Sequence, residues 1–148
     1  MGQLALLPPS TNADYRGAAV SAHVLAVAAV LTIIPGLIHS FAPSGGAEGI
    51  AGLQLGAQRE LVVSVFAWMG AAQIAYGLAM LAAALRYRPL VPMFFVLILV
   101  ERGLMALQGW VLKAPASGHH PPEHYASLAV LPIAAVFLVL SLRARAGA

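Results

Sequence analysis

Four long apolar runs dominate the sequence and restrict it to very few folds. They cover residues 20–41, 61–85, 90–112 and 125–142. A helix needs about 20 residues to cross a hydrocarbon layer of roughly 30 Å, and the first three runs reach that length while the fourth comes close to it. We therefore predict an all-α fold, an integral membrane four-helix bundle, in which residues 1–148 form a single transmembrane domain.

The composition of the chain indicates the same class of protein. Of its 148 residues, 61% are hydrophobic and only 9% are charged, and the mean hydropathy is +0.87. A soluble domain usually has about 25% charged residues, so this chain has too little polar surface to cover a globule in water. It contains no cysteine, which excludes disulfides, thiolate metal sites and cysteine nucleophiles.

The basic residues predict the orientation in the membrane. Arg86 and Arg88 lie between the second and third runs, Arg16 precedes the first run, and Arg143 and Arg145 follow the fourth. The positive-inside rule then places both termini and the turn between the second and third helices in the cytoplasm. These positions at the ends of apolar runs are typical of topology signals, so the isoelectric point near 9.8 does not indicate a nucleic-acid partner.

The two connections that face outward in this orientation differ in composition. The first, about residues 42–60, is rich in glycine but keeps several aliphatic residues, which suit a short helix lying on the membrane surface. The second, about residues 113–124, is polar and ends in prolines. Pro122 and Glu123 indicate the start of the fourth helix, because proline is tolerated in a first turn and an acidic side chain is favourable there.

Two stripes of small residues predict a close helix pair. At intervals of four, the first run contains Ala28, Thr32, Gly36 and Ser40, and the second contains Ala71, Ala75, Ala79 and Ala83. Lipid tails provide no hydrophobic drive between helices, so helix contacts in membranes depend on small residues that let backbones approach. We expect the first two helices to pack along these stripes.

Glu101 and Arg102 lie inside the third apolar run, where charge is unfavourable. Glu101 lies about 12 residues beyond Pro89, or about 18 Å of helix, which places both charges just beyond the membrane midplane on the outer side. An arginine or aspartate at such a depth costs about 2.5 to 3.5 kcal/mol on insertion scales. At least one of the two side chains should therefore pair across the bundle or reach a water-filled cavity. A structural ion pair and a functional site both account for them.

Other polar side chains fall at a similar depth and predict a pocket that opens outward. Its expected lining is His39, Glu60, Gln73, Tyr76, Glu101, Arg102 and Gln108. Ordinary hydrogen bonds between helices, worth roughly 0.6 to 2 kcal/mol each, also explain such residues. If the pocket is catalytic, Glu101 acts as general acid or base and Arg102 holds an anionic head group.

A histidine-rich motif, HHPPEH, lies in the second outer connection. It contains His119, His120, Glu123 and His124. Imidazole and carboxylate ligands at this density suit Zn²⁺ or Cu²⁺. Two prolines interrupt the motif, and a solvated loop with Glu123 near the start of the fourth helix explains it as well.

The helix layout resembles a known group of membrane proteins. The resemblance is carried by the four spans, by RELVVSVFAWMGAAQIAYGLAMLAAALRYR around the second helix, and by LVERGLMALQGWVL in the third. The chain is similar, over roughly residues 20–143, to small bacterial four-helix membrane proteins of the DoxX-like and DUF4345-like type. The resemblance implies a multi-pass protein of the bacterial cytoplasmic (inner) membrane. The resemblance is compatible with a role in a membrane redox complex that uses quinone. It assigns no functional residue.

Three functions are compatible with these features. The chain has no Walker loop, no G-x-S-x-G, no H-E-x-x-H and no G-x-G-x-x-G motif. This favours a non-enzymatic accessory subunit, or a small-ligand or lipid-binding subunit, whose partners are membrane lipid, another membrane protein or copies of itself. The alternatives are an intramembrane enzyme acting on a quinone, isoprenoid or lipid through Glu101, and metal handling by the histidine loop. Apart from Zn²⁺ or Cu²⁺ at that loop, the sequence indicates no cofactor.

Overall fold

The computed structural model describes residues 6–143, and this part of the chain is helical without strands. Its α-helices are α1 (Ala19–Phe41), α2 (Arg59–Arg86), α3 (Val91–Leu107) and α4 (Pro122–Leu142). A π-helical segment, Gln108–Leu112, prolongs α3, and short 3₁₀ turns cover Asn12–Asp14, Gly56–Gln58 and Arg88–Leu90. Each of the four helices, α3 with its extensions, is long and apolar enough to cross a membrane. The predicted all-α class is confirmed, whereas Arg145 lies outside the described residues.

The helix boundaries follow the apolar runs to within a few residues. α2 begins at Arg59, slightly before the apolar run, because Arg59 and Glu60 form its first turn. α4 begins at Pro122, as the proline and the following Glu123 predicted. The α-helical part of α3 ends early, where the backbone widens into the π-helical segment. Gly109 in that segment is buried, and a Cβ atom there would lie 2.9 Å from the ring of His124.

Consecutive helices run in opposite directions, so the bundle has two ends. We call the end that carries residues 42–58 and 113–121 the loop end, and the end that carries residues 6–18 and 87–90 the terminal end. α1 packs along most of α2, and α3 packs along α4, whereas contact between these two pairs is sparse. The fold is therefore two tight helix pairs placed loosely side by side.

Glycines provide the closest contact between α1 and α2. A Cβ atom at Gly36 would lie 2.9 Å from the Gly70 carbonyl oxygen, and one at Gly77 would lie 3.0 Å from the Ala29 carbonyl oxygen. Thr32 and Gly36 are buried, so the stripe predicted on α1 is confirmed at its centre. Small residues allow this approach of two backbones, as is common for helices in membranes.

The stripe predicted on α2 is wrong over most of its length. Ala71, Ala75 and Ala79 are exposed and only Ala83 of the four is buried, and the closest contact with α1 is made instead by Gly70 and Gly77. Neighbouring residues on a helix point about 100° apart, so a shift of one position turns the contact face away from the alanines. The glycines determine which face of α2 contacts α1, because a residue with a side chain would keep the α1 backbone from coming this close.

The buried apolar core lies in the half of the bundle nearest the terminal end. It consists of Ala22, Leu25, Ala29, Met80, Ala83, Ala84, Val91, Phe94, Phe95, Ile98 and Ala134. The contribution of α3 follows helical spacing, since its buried residues are three or four positions apart. The cavities described below lie from the middle of the bundle toward the loop end.

The segment before α1 covers the end of α2. Asn12 Nδ2 donates a hydrogen bond of 2.7 Å to the Leu85 carbonyl oxygen, and Asn12 Oδ1 accepts one of 3.2 Å from the Arg88 backbone amide. The backbone amide of Thr11 donates to the Arg86 carbonyl oxygen. The last carbonyl groups of a helix have no partner inside the helix, so these contacts satisfy groups that would otherwise depend on water.

The first loop of the loop end forms successive turns, and a short 3₁₀ turn at Gly56–Gln58 stands in place of the expected surface helix. Residues 42–51 are turn and bend positions, and Gly45 and Gly46 have φ values of 58° and 80°. This left-handed backbone favours glycine and interrupts a right-handed helix. Gly45 and Gly46 are also buried, so the loop folds back over the helices.

Candidate functional site

Glu101 and Arg102 continue the inward face of α3. Ile98 belongs to the buried core, and the positions three and four residues beyond it lie on the same face of a helix. Those positions are Glu101 and Arg102, both of which are half-buried. The apolar core of α3 therefore ends where the polar part of the bundle begins.

Arg102 is held between two carboxylates. Its Nη1 donates a hydrogen bond to Glu123 Oε1 in the first turn of α4, and its Nε lies 3.8 Å from Glu101 Oε2. Only 14% of the Arg102 side chain is exposed, compared with 35% for Glu101 and 45% for Glu123. Arg102 thus pairs with a residue of another helix, α4, and its guanidinium group already has carboxylate partners within the protein.

A cleft of about 420 Å³ separates α2 from α3, with Glu101 in its wall. Its apolar lining consists of Met69 and Ala72 on α2 and Leu97, Val100 and Met105 on α3. The two helices are joined by a short turn at the terminal end but make few contacts beyond it, so the space between them opens on the side of the bundle. The volume lies within the roughly 300 to 1,000 Å³ typical of ligand pockets.

Two polar atoms in this cleft lack a partner. Gln73 Oε1 and the Tyr76 hydroxyl are buried, and neither has a hydrogen-bond partner within residues 6–143. Both residues line the cleft together with Glu101. A buried polar group without a hydrogen bond costs about 1 to 3 kcal/mol. Gln73 and Tyr76 are therefore the groups that a molecule in the cleft would satisfy.

A second cavity, of about 350 Å³, lies at the loop end and adjoins the cleft. Met69, Gln73 and Met105 line both spaces. His39 also lines the second cavity, but its Nδ1 donates a hydrogen bond of 2.5 Å to the Gly45 carbonyl oxygen. That contact ties the end of α1 to the folded-back loop, so the loop forms the roof of this cavity.

The remaining members of the predicted pocket lie apart from the cleft. Glu60 is exposed and lines neither of the two cavities. Gln108 is exposed and lines a smaller cavity of about 270 Å³ beside His124. The structure thus brings together Gln73, Tyr76 and Glu101, places Arg102 behind them, and leaves His39 at the loop end.

Sequence reasoning missed the methionines of the cleft. Met69 precedes Gln73 by one helical turn, and Met105 follows Glu101 by one turn. Residues four apart on a helix share a face, so the polar residues could have identified Met69 and Met105 as their neighbours. Methionine is flexible and fills irregular gaps, which suits the junction of two cavities.

The histidine motif is divided among several contacts. His119 Nε2 donates a hydrogen bond of 3.0 Å to the Ala51 carbonyl oxygen in the first loop. His120 Nδ1 lies 2.9 Å from His124 Nδ1, and Glu123 pairs with Arg102. Across residues 6–143, no group of three or more histidine, aspartate or glutamate side chains is placed to hold a metal ion.

The chain matches no family model, no curated protein and no solved structure. Its resemblance to DoxX-like proteins accordingly stays a prediction. Any functional conclusion therefore depends on the geometry of the cleft and of the ion pairs beside it.

Proposed function

We propose that the protein is a multi-pass protein of the bacterial cytoplasmic membrane with both termini inside. The proposal is supported by the length and hydropathy of the four helices and by the many large apolar side chains exposed along all of them. Arg16, Arg86 and Arg88 lie at the terminal end, which the positive-inside rule assigns to the cytoplasm. The loop end then faces outward, and the cleft opens toward lipid near the middle of the bilayer.

We further propose that the protein binds a small amphiphilic molecule or lipid in the cleft between α2 and α3. The observation that carries this proposal is the pair of buried, unpartnered atoms, Gln73 Oε1 and the Tyr76 hydroxyl, beside Glu101 in an otherwise apolar cleft. Binding sites for small molecules usually combine apolar walls with a few polar groups in this way. A polar head group would satisfy these atoms, and an apolar tail would lie along the walls toward lipid.

Binding without chemical conversion is the function that these groups support best. Arg102, predicted to hold an anionic head group in an enzyme, is engaged by Glu101 and Glu123. The sequence contains none of the common catalytic motifs. A ligand-binding subunit requires only the cleft itself.

Ala72→Phe tests the proposal, because Ala72 lines the cleft and a phenyl ring would fill part of it. Ala71→Phe is the matched control, since Ala71 is exposed like Ala72 but lines neither the cleft nor the cavity at the loop end. Each protein would be purified gently from membranes and measured by native mass spectrometry. We expect a bound molecule of defined mass on the wild type and on Ala71→Phe, and its loss from Ala72→Phe.

Two results would contradict the proposal. One is a wild-type chain that carries no small molecule, or that binds only other protein chains. The other is a bound molecule that is retained equally by Ala72→Phe and Ala71→Phe. Thermal unfolding of both variants in the same detergent would establish that a lost ligand does not reflect a lost fold.

A further inference from the structure

The polar groups of the cleft define the chemistry of the head group that fits there. We propose that the cleft selects amphiphiles whose head group donates hydrogen bonds, such as an alcohol or an ammonium group, and rejects anionic head groups. This inference rests on the proposed binding function and makes it more specific. It replaces the sequence-based expectation that Arg102 would hold an anion.

The first argument is the balance of donors and acceptors among the unpartnered atoms. Gln73 Oε1 can only accept hydrogen bonds, and the Tyr76 hydroxyl can accept as well as donate. Glu101, which lines the same cleft, adds a carboxylate, and an ionised carboxylate is an acceptor only. A head group rich in N–H or O–H donors can therefore bond to all three residues through these oxygen atoms, whereas an ether or a fully ionised phosphate, with only acceptors, leaves Gln73 Oε1 and the Glu101 carboxylate without a partner.

The second argument is the charge next to the cleft. Glu101, Arg102 and Glu123 together carry one net negative charge when all three are ionised. Arg102, the positive residue, is the most buried of the three and does not line the cleft, whereas Glu101 lines it. None of the described side chains that line the cleft is basic. An anion in the cleft would therefore meet a carboxylate with no compensating cation, in surroundings that screen charge poorly.

The third argument concerns the adaptability of the apolar walls. Met69 and Met105 line the cleft and also the cavity at the loop end. Their unbranched, polarisable side chains can adjust to tails of different shape. The walls therefore impose little selection on the tail, and selectivity falls to Gln73, Tyr76 and Glu101.

The experiment compares probes that share one dodecyl chain and differ only in the head group. The protein would be reconstituted in nanodiscs of phosphatidylcholine, and each probe would displace a neutral fluorescent alkane from the cleft. The probes are dodecylammonium, dodecanol, dodecyl methyl ether and dodecyl phosphate. Displacement from Ala72→Phe measures partition into the bilayer alone and is subtracted. We expect the ammonium and the alcohol to bind roughly 10-fold or more tightly than the ether and the phosphate, as one hydrogen bond to a charged group would produce.

Two variants assign the preference to residues. Gln73→Leu removes a hydrogen-bond acceptor and leaves the ion pairs of Arg102 in place. It should weaken binding of the alcohol and of the ammonium relative to binding of the ether. Glu101→Gln removes the charge and should reduce the advantage of the ammonium over the alcohol. Gln108→Leu is the control, because Gln108 is exposed outside the cleft, and it should leave the order unchanged.

The outcomes separate this inference from the proposed function. If the phosphate displaces the alkane from the wild type as well as the ammonium does, and Ala72→Phe abolishes both, the cleft binds amphiphiles and the head-group inference is overturned. If no probe distinguishes the wild type from Ala72→Phe, the proposed function and the inference both fail. If Gln73→Leu leaves the order of the four probes unchanged, selection by the unpartnered acceptor is overturned even though binding is retained.

Discussion

A single methyl group at Gly70 should separate the two most closely packed helices. In Gly70→Ala, the new Cβ atom would lie 2.6 Å from the Gly36 carbonyl oxygen, 2.6 Å from Ser40 Oγ and 2.8 Å from His39 Cβ. Cβ atoms in proteins essentially never come closer than 3.0 Å to such neighbours. The carbonyl oxygen and the Cβ atom are fixed to the α1 backbone, so a change of side-chain rotamer cannot relieve the clash.

The size of the effect follows from these distances. An ordinary contact begins at 3.4 Å, so α1 has to move by about 0.8 Å along the line to Gly70. Overpacking of this kind typically costs about 1 to 3 kcal/mol. In a chain of roughly 150 residues each kcal/mol corresponds to about 2 to 4 °C in the midpoint of thermal unfolding, so the midpoint should fall by roughly 2 to 12 °C.

Gly103→Ala is the matched control for this experiment. Gly103 also lies inside a helix, but no heavy atom beyond its own surroundings lies within 4 Å of the added Cβ. Both variants change the intrinsic helix preference equally, so the difference between them isolates the clash. The assay is thermal unfolding in a mild detergent, followed by circular dichroism. If Gly70→Ala unfolds at the same temperature as Gly103→Ala, or at a higher one, then α1 and α2 do not meet at these glycines and the reasoning is refuted.

Two further predictions concern the polar contacts at opposite ends of the bundle. Asn12→Ala removes hydrogen bonds on both sides of the turn between α2 and α3 and should lower the free energy of unfolding by about 1 to 2 kcal/mol. Asp14→Ala, at an exposed position of the same segment, should change it by less than about 0.5 kcal/mol, and an equal effect of both variants would contradict the capping role. Glu123→Gln removes one of the two carboxylates around Arg102 and should cost about 1 to 2 kcal/mol, since Glu123 is partly exposed. The double variant with Arg102→Met should cost less than the sum of the single variants, whereas additivity within about 0.5 kcal/mol would show that the pair is not coupled.

The orientation of α3 could be predicted from its sequence. Val91, Phe94 and Ile98 recur at helical spacing on one face, and Glu101 and Arg102 extend that face by one more turn. The unfavourable free energy of a charge in lipid predicts that both side chains face the protein, and the pairing of Arg102 with Glu123 agrees with this. The choice of Glu123 as the partner was out of reach, because the sequence does not determine how α4 is rotated against α3.

The orientation of α2 could not be predicted in the same way. Its outward and inward faces are both apolar, since Leu78 and Trp68 are exposed while Met80 is buried. In a helix that is apolar all round, hydrophobic periodicity gives no direction. The regular alanines then suggested the wrong face, and the decisive residues were Gly70 and Gly77, which are separated by seven positions.

The histidine loop shows a different limit of sequence reasoning. His119, His120, Glu123 and His124 are adjacent in sequence, which suggested a shared ligand. In the structure, however, Glu123 lies in the first turn of α4 and pairs with Arg102, and His119 contacts the other loop. Nearness along the chain therefore brings two ring nitrogens together, those of His120 and His124 at 2.9 Å, while Glu123 and His119 engage other partners.

The cleft lies between the two helix pairs because contact is strong within each pair and weak between them. Within α1 and α2, contact depends on glycines that bring two backbones together, and between α3 and α4 it includes a charged pair with a largely buried arginine. Each pair is therefore held internally, and the sparse contact between α2 and α3 leaves space there without loosening either pair. Glu101 connects the two functions of α3, because it contacts the arginine that joins α3 to α4 and also faces the space beside α2. A ligand that engages Glu101 and Gln73 would bridge the two pairs, so we expect the wild-type protein to resist unfolding more strongly with ligand than without it, by an amount set by ligand affinity.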